Sequence, residues 1–251
     1  MTMGIPTDRV LVKFDEYLCR NDYAAAKRHM LYWLAEAELL QDERNILLIN
    51  NELMGLCRKL GECEDAFTYA NRALETVKRM GIADDVGAAT TYLNAATVCK
   101  AFGMAEDAIP LFERARRIYE RELLPTDERL GGLYNNMGLA FVDLGRFIEA
   151  DVSYKNALAV MQSEAGREPE AAITHLNIAS AREAEYGLDG AKEEIAECAE
   201  RAMELFDSCR EREDGDYAYA CEKCASVFGY YGYKDYEKEL SERCRRIYER
   251  T

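Results

Sequence analysis

The chain has 251 residues, with 32 Lys and Arg against 47 Asp and Glu and a formal net charge of −15. That excess speaks against a nucleic-acid footprint, which needs a concentrated basic face, and suits neutral or basic partners. No apolar run approaches the roughly 20 residues of a bilayer crossing, and Met1 to Pro6 has no basic and apolar signal pattern, so no membrane contact and a cytoplasmic location are expected.

In chain order, Pro6, Thr7 and Asp8 read as a helix start with Thr7 as the N-cap, leading into Val10, Leu11, Phe14, Tyr17 and Leu18. Asn21 and Asp22 form a turn, and a second helix to about Leu40 carries Ala26, Met30, Trp33 and Leu34 on one side. His29 in that helix reads as a surface or boundary residue. A second hairpin spans about Asp42 to Met80 and turns at Gly61. A third spans about Asp84 to Arg121 and turns at Gly103. Its Arg114, Arg116 and Arg117 sit among Glu113, Glu120 and Glu122, a solvated face of mixed charge. Pro125 then stops one helix, and Thr126, Asp127 and Glu128 start the next.

The fourth hairpin is the clearest. Leu133, Met137, Phe141 and Leu144 fall at steps of three and four, Gly145 ends the helix, and Phe147, Ala150, Tyr154 and Ala157 begin a second stripe. Gly138, Ala150 and Ala157 allow the helices to cross closely. Gly131 and Gly132 fall inside the first turns, where each costs about 1 kcal/mol relative to alanine. Either close packing offsets that cost or, at Gly132, a ligand strand approaches the bare backbone. The fifth hairpin, about Glu168 to Cys209, has His175 where Tyr92 and Tyr134 sit, a packing position, and a glutamate-rich solvent face on its second helix. The last, after Asp214, crowds Tyr217, Tyr219, Tyr230, Tyr231, Tyr233, Tyr236 and Tyr248 together. Such amphipathic side chains suit a solenoid end, and the alternative reading is partner docking or self-association through this end as a homo-oligomer.

These hairpins repeat. Gly61, Gly103, Gly145 and Gly187 recur at one constant interval, and Ala66, Ala108 and Ala150 recur at the same interval, with Ala191 falling one place short of it. Asn94, Asn136 and Asn177 keep step, as do Cys57, Cys99 and Phe141. The pattern resembles the tetratricopeptide repeat, in the longer variety of the kinesin light chains, whose Leu-Asn-Asn-Leu-Ala core is matched by Tyr134-Asn-Asn-Met-Gly138. The resemblance implies an all-α, right-handed superhelical solenoid of about six repeats and twelve helices. Residues 1–251 then form a single tetratricopeptide-repeat domain: a diverged N-terminal repeat at 1–41, four clear repeats at 42–209 and a diverged tyrosine-rich repeat at 210–251.

In the kinesin light chain family, asparagines of the first helix line the inner groove and bond the backbone of an extended peptide. The resemblance implies that role at Asn94, Asn136 and Asn177, adjoined by Asn51 and Asn135. An amide offers both donor and acceptor, so the same residues could instead tie neighbouring repeats together. Arg58, Lys59, Lys100, Asp143 and Glu183, late in successive first helices, would set charge preference along the groove. No phosphate loop, paired metal spacing or convincing triad appears, so neither catalytic residues nor a cofactor are expected and enzymatic activity is not. Nine cysteines, an odd number, fit free thiols. Cys57 and Cys99 read as core, Cys198 and Cys244 as lying near the small-residue position of the second helices. Cys221 and Cys224 have half of a zinc spacing but no second pair, and read as small buried thiols. The expected activity is that of a non-enzymatic scaffold that binds an extended peptide or protein segment in the concave groove; the alternative is a self-assembling structural adaptor or regulatory peptide sensor that interacts through the tyrosine-rich end.

Overall fold

The computed structural model describes residues 4–163 and 165–250. Among these the chain forms twelve helices: α1 (Thr7–Cys19), α2 (Tyr23–Leu39), α3 (Glu43–Leu60), α4 (Cys63–Met80), α5 (Val86–Ala101), α6 (Ala105–Glu122), α7 (Glu128–Asp143), α8 (Phe147–Met161), α9 (Glu168–Gly190), α10 (Lys192–Ser208), α11 (Gly215–Tyr230) and α12 (Lys234–Tyr248). They divide into two compact units, Met1–Glu122 and Leu123–Thr251, each a stack of three helical hairpins.

The hairpin turns share one device. Asn21, Gly61, Gly103, Gly145, Gly187 and Gly232 all take positive φ, between 54° and 93°. In five of the six turns the next residue donates its backbone N–H to the carbonyl five positions back: Asp22 to Tyr17, Glu62 to Cys57, Met104 to Cys99, Arg146 to Phe141 and Tyr233 to Phe228, at 2.8 to 2.9 Å. This is the bond that closes a helix through a left-handed residue. Gly187 differs, with ψ at 164°, and breaks α9 short of its nominal end. That explains why Ala191 arrives one place early in the repeat. Aspartates cap several starts: Asp22, Asp42, Asp127 and Asp214 accept from the backbone N–H of Ala25, Asn45, Arg129 and Tyr217. Thr7 does not cap α1; its hydroxyl donates instead to Asn45 Oδ1 at 2.8 Å, a bond to the next hairpin.

Alanines set how closely the helices approach. Ala66, Ala73, Ala108, Ala115, Ala150, Ala157 and Ala199 are fully buried and Ala191 is nearly so. Ala199, not Cys198, continues the small-residue position of the second helices; the half-buried Cys198 sits beside it in sequence. At Gly138 even alanine is too large. A Cβ there would lie 2.5 Å from Cε1 of Tyr154, whose ring is buried. Gly131 has its Cβ direction filled by Val160 and Met161 at 3.4 and 3.5 Å, whereas nothing lies within 4 Å of that direction at Gly132.

Within each unit the first helices touch one another, α3 on α5, and α9 on both α7 and α11. The second helices dock on the following first helix, α2 on α3, α4 on α5 and α8 on α9. First helices therefore form the inner side of each stack and second helices the outer side. The final hairpin is spaced differently. Phe206 of α10 meets Tyr217 and Phe228 of α11 edge to face, so large rings fill the seam between these two helices.

Gly138→Ala is expected to cost about 1–3 kcal/mol, the range for overpacking against a rigid neighbour, while Gly132→Ala, with open space and a gain in helix propensity, should stabilise by up to about 1 kcal/mol. Urea unfolding followed by far-UV circular dichroism measures both.

Candidate binding face

The asparagines of the first helices form two equivalent clusters. In the first unit, Asn94 Nδ2 donates to Asn51 Oδ1 at 3.0 Å, and Asn51 Nδ2 donates to Leu47 O at 2.9 Å and to Thr91 Oγ1 at 3.1 Å. In the second, Asn177 Nδ2 donates to Asn135 Oδ1 at 2.9 Å and Thr174 Oγ1 to the same oxygen at 3.2 Å. Each cluster ties one first helix to the next. Thr91 and Thr174 escaped sequence reasoning, although the signal exists: Thr-x-x-Asn recurs at 91–94 and 174–177. Asn136 is different. It is half-buried and makes no side-chain hydrogen bond among the described residues.

Of the charged groove candidates, Arg58 is exposed near the end of α3 and Lys100 is half-buried near the end of α5. Glu183 is occupied by the last hairpin: both its oxygens accept phenol hydroxyls, one from Tyr230 and the other from Tyr231 at 2.9 Å. The tyrosine-rich hairpin turns largely inward. Tyr217 is buried, and Tyr236 bonds Met203 O and Asp207 at 3.1 and 3.0 Å, while Tyr219, Tyr230 and Tyr248 keep large exposed surfaces.

Cationic side chains make further ties. Arg243, 4% exposed, donates to Asp207 at 2.6 Å, Glu239 at 2.5 Å, Tyr217 Oη at 3.0 Å and Phe206 O at 3.3 Å. Burial acts to lower its pKa, but the bonds to Asp207 and Glu239 outweigh burial and raise it. Arg182 of α9 reaches Asp151 at 2.7 Å and Glu185 and Glu194 at 3.0 Å.

One donor set with metal-like chemistry exists among the described residues: Cys57, Glu62 and Asp65, with donor atoms within 4.8 Å of one another. Lys27 already stands there, its Nζ 2.6 Å from both Glu62 and Asp65. The cation of this cluster is the protein's own ammonium, and burial pushes the Cys57 thiol up to about 12, away from the thiolate a metal requires. Cys221 and Cys224 are both buried in the last hairpin, and burial pushes each thiol up to about 12. They are core residues, as their place in the repeat implies.

The histidines are packing residues. His29 Nε2 lies 3.0 Å from Val10 O, between Tyr17 and Trp33. His175 is half-buried, and burial, followed by the nearby Arg201, holds its pKa below the usual value, against the pull of Glu197.

Residues 45–121, the second and third hairpins, match the family model described as Tetratricopeptide repeat. The match covers these two hairpins, and the other hairpins share their fold. The chain's fold is that of kinesin light chain-like repeat proteins. It is similar to BtubC (BKLC) from P. vanneervenii, at 21% identity and a TM-score of 0.70, covering 82% of each chain. It is also similar to a Podosopora anserina protein described as a kinesin light chain with nearly identical TPR-like repeats, at 18% identity and a TM-score of 0.56, covering 80% of this chain and 94% of that one. At these identities the likeness is one of fold. No curated protein sequence matches significantly. Tetratricopeptide repeats as a class serve as protein–protein interaction scaffolds.

Asn135→Ala should destabilise by about 1 kcal/mol, because it leaves the Asn177 amide without its acceptor, while the Thr174 hydroxyl keeps Glu170 O at 3.0 Å; urea unfolding would register it. His175 gives a pH signature. Its folded pKa lies below the ordinary value, so its contribution to stability is present above the ordinary histidine range and is lost as pH falls through the folded value. The loss of stability between pH 7.5 and pH 5 should be smaller in His175→Tyr, the residue that Tyr92 and Tyr134 supply elsewhere in the repeat. Denaturation midpoints of both proteins at the two pH values test this.

Proposed function

We propose that this protein is a non-enzymatic scaffold that holds an extended peptide or protein segment along the inner faces of its first helices. The observation that carries the reading is the state of the asparagines. An amide has two N–H groups and an acceptor oxygen, and in each cluster the outer member, Asn94 or Asn177, gives one N–H to its neighbour. The remaining donor and acceptor match one peptide unit. Asn136 has all of its hydrogen-bonding capacity to offer, and Gly132 adds a helical backbone with open space above it. Both residues lie on α7, a first helix.

The same amides therefore hold the stack and face a ligand, and the two roles coexist. The net charge of −15 favours neutral or basic segments. The acid is concentrated in residues 123–251, which hold 27 Asp and Glu against 16 Lys and Arg. Docking through the tyrosine-rich end is the weaker alternative, because Tyr217, Tyr231 and Tyr236 direct their hydroxyls to partners inside the protein.

Asn136→Ala separates binding from stability. A peptide selected from a display library on the full chain should bind Asn136→Ala about tenfold more weakly, the loss of one or two hydrogen bonds to a peptide unit, with an unchanged unfolding midpoint. Gly132→Ala should weaken binding without loss of helicity. Unchanged affinity in both variants, measured by fluorescence polarisation, would remove the inner face as the site.

A further inference from the structure

The outer faces of the second helices are not alike. Those of α4, α6, α10 and α12 are mainly polar, as expected of helices that bury one stripe and wet the other. The α2 helix departs from this. Its exposed positions Ala24, Arg28, Leu31, Tyr32, Ala35 and Leu39 recur at steps of three and four, so they lie on one stripe that faces solvent rather than the core. Leu31 is 38% exposed, Tyr32 58%, Leu39 78% and the adjoining Leu40 39%. A contiguous exposed apolar stripe on an amphipathic scaffold marks a docking surface.

The chemistry of the stripe says what docks. Arg28 lies on its midline and Glu36 on its edge two turns later, and neither has an ion-pair partner among the described residues, whereas the neighbouring Lys27 and Glu38 are already held by Glu62, Asp65 and Arg72. Small residues occupy one end, Ala24 and Ala25, and large ones the other, Leu39 and Leu40. We propose that α2 joins two copies of this chain, antiparallel about a two-fold axis near Tyr32. That axis brings Arg28 of each copy opposite Glu36 of the other, and the alanine end of each helix opposite the leucine end of its mate. A two-fold interface must be complementary to itself, and the stripe satisfies this in both charge and size. The other apolar outer surface, Ile148 and Val152 on α8, has Lys155 beside it as an exposed charge, which a two-fold contact would set against its own copy.

The test uses the full chain in sedimentation equilibrium over a range of concentrations. The mass should rise from 28.6 kDa toward that of two chains. Leu39→Glu should abolish the rise, and Arg28→Glu and Glu36→Arg should each weaken association about tenfold through like-charge contact. The double exchange, Arg28→Glu with Glu36→Arg, should restore it. Far-UV circular dichroism must show unchanged helicity in every variant; these positions are at the surface, and Glu36→Gln with Arg28→Gln serves as a milder pair should a charge reversal unfold the hairpin. A monomer at all concentrations overturns the proposal. So does a dimer indifferent to Leu39→Glu, which would place the contact on α8 or the tyrosine-rich end. A dimer lost in Leu39→Glu but insensitive to the charge exchanges overturns the antiparallel register.

Discussion

Everything in this structure depends on how closely two helices can approach. A hairpin whose helices cross over alanine or glycine presents shallow faces, and shallow faces can stack with many others of their kind. Gly138 shows the limit most plainly: the Tyr154 ring occupies the space a single methyl would need. The left-handed turn residue serves the same constraint from the other direction, since it reverses the chain tightly and keeps the helices from splaying. Period, turn and small residue are three expressions of one geometric demand. That is why they recur together at a single interval, and why Gly187, with its altered turn, shifts the following alanine by one place.

Close packing of small apolar residues has a weakness, because alanine faces are alike and could slide. Polar ties remove the freedom. Each seam between hairpins within a unit carries one. Lys27 with Glu62 and Asp65 joins the first hairpin to the second, and Asn51 with Thr91 and Asn94 joins the second to the third. Asn135 with Thr174 and Asn177, helped by Arg182, joins the fourth to the fifth, and Arg243 with Asp207 joins the fifth to the sixth. The chemistry varies while the position in the architecture does not. Apolar burial supplies the stability, and these bonds choose the register.

This division explains what the sequence reveals and what it hides. The core is periodic, so the hairpin boundaries, the turn glycines and the buried alanines can be read directly from spacing, and the chain's fold follows. A tie needs partners on successive hairpins, far apart in sequence, and only one of its members falls on the period. Asn94 and Asn177 are visible for that reason; Thr91 and Thr174 show only through their fixed spacing to those asparagines, and nothing local distinguishes Lys27 from a helix-surface residue. Glu183 looks like a groove residue from its place in α9 until Tyr230 and Tyr231, in the following hairpin, are seen to cover it. Thr7 has the appearance of a cap, yet Asn45 competes successfully for its hydroxyl. In each case a tertiary partner prevails over a local preference.

The asparagine row is the point at which the architecture and the proposed peptide binding meet. A side chain with two donors and one acceptor can satisfy a neighbouring helix and still address a third party, which a lysine held by two carboxylates cannot do. Lys27 and Arg243 have every polar atom committed or nearly so, and they serve the stack alone. The amides are committed only in part. If a peptide lies on the inner face, its bonds go to the same groups that set the spacing of the first helices, so ligand and register are linked. A segment that fits the spacing stabilises the stack, and a stack loosened at Asn51 or Asn135 presents its amides at the wrong interval. On the proposed function, the repeat would select an extended backbone by the distance between helices rather than by the identity of any one side chain.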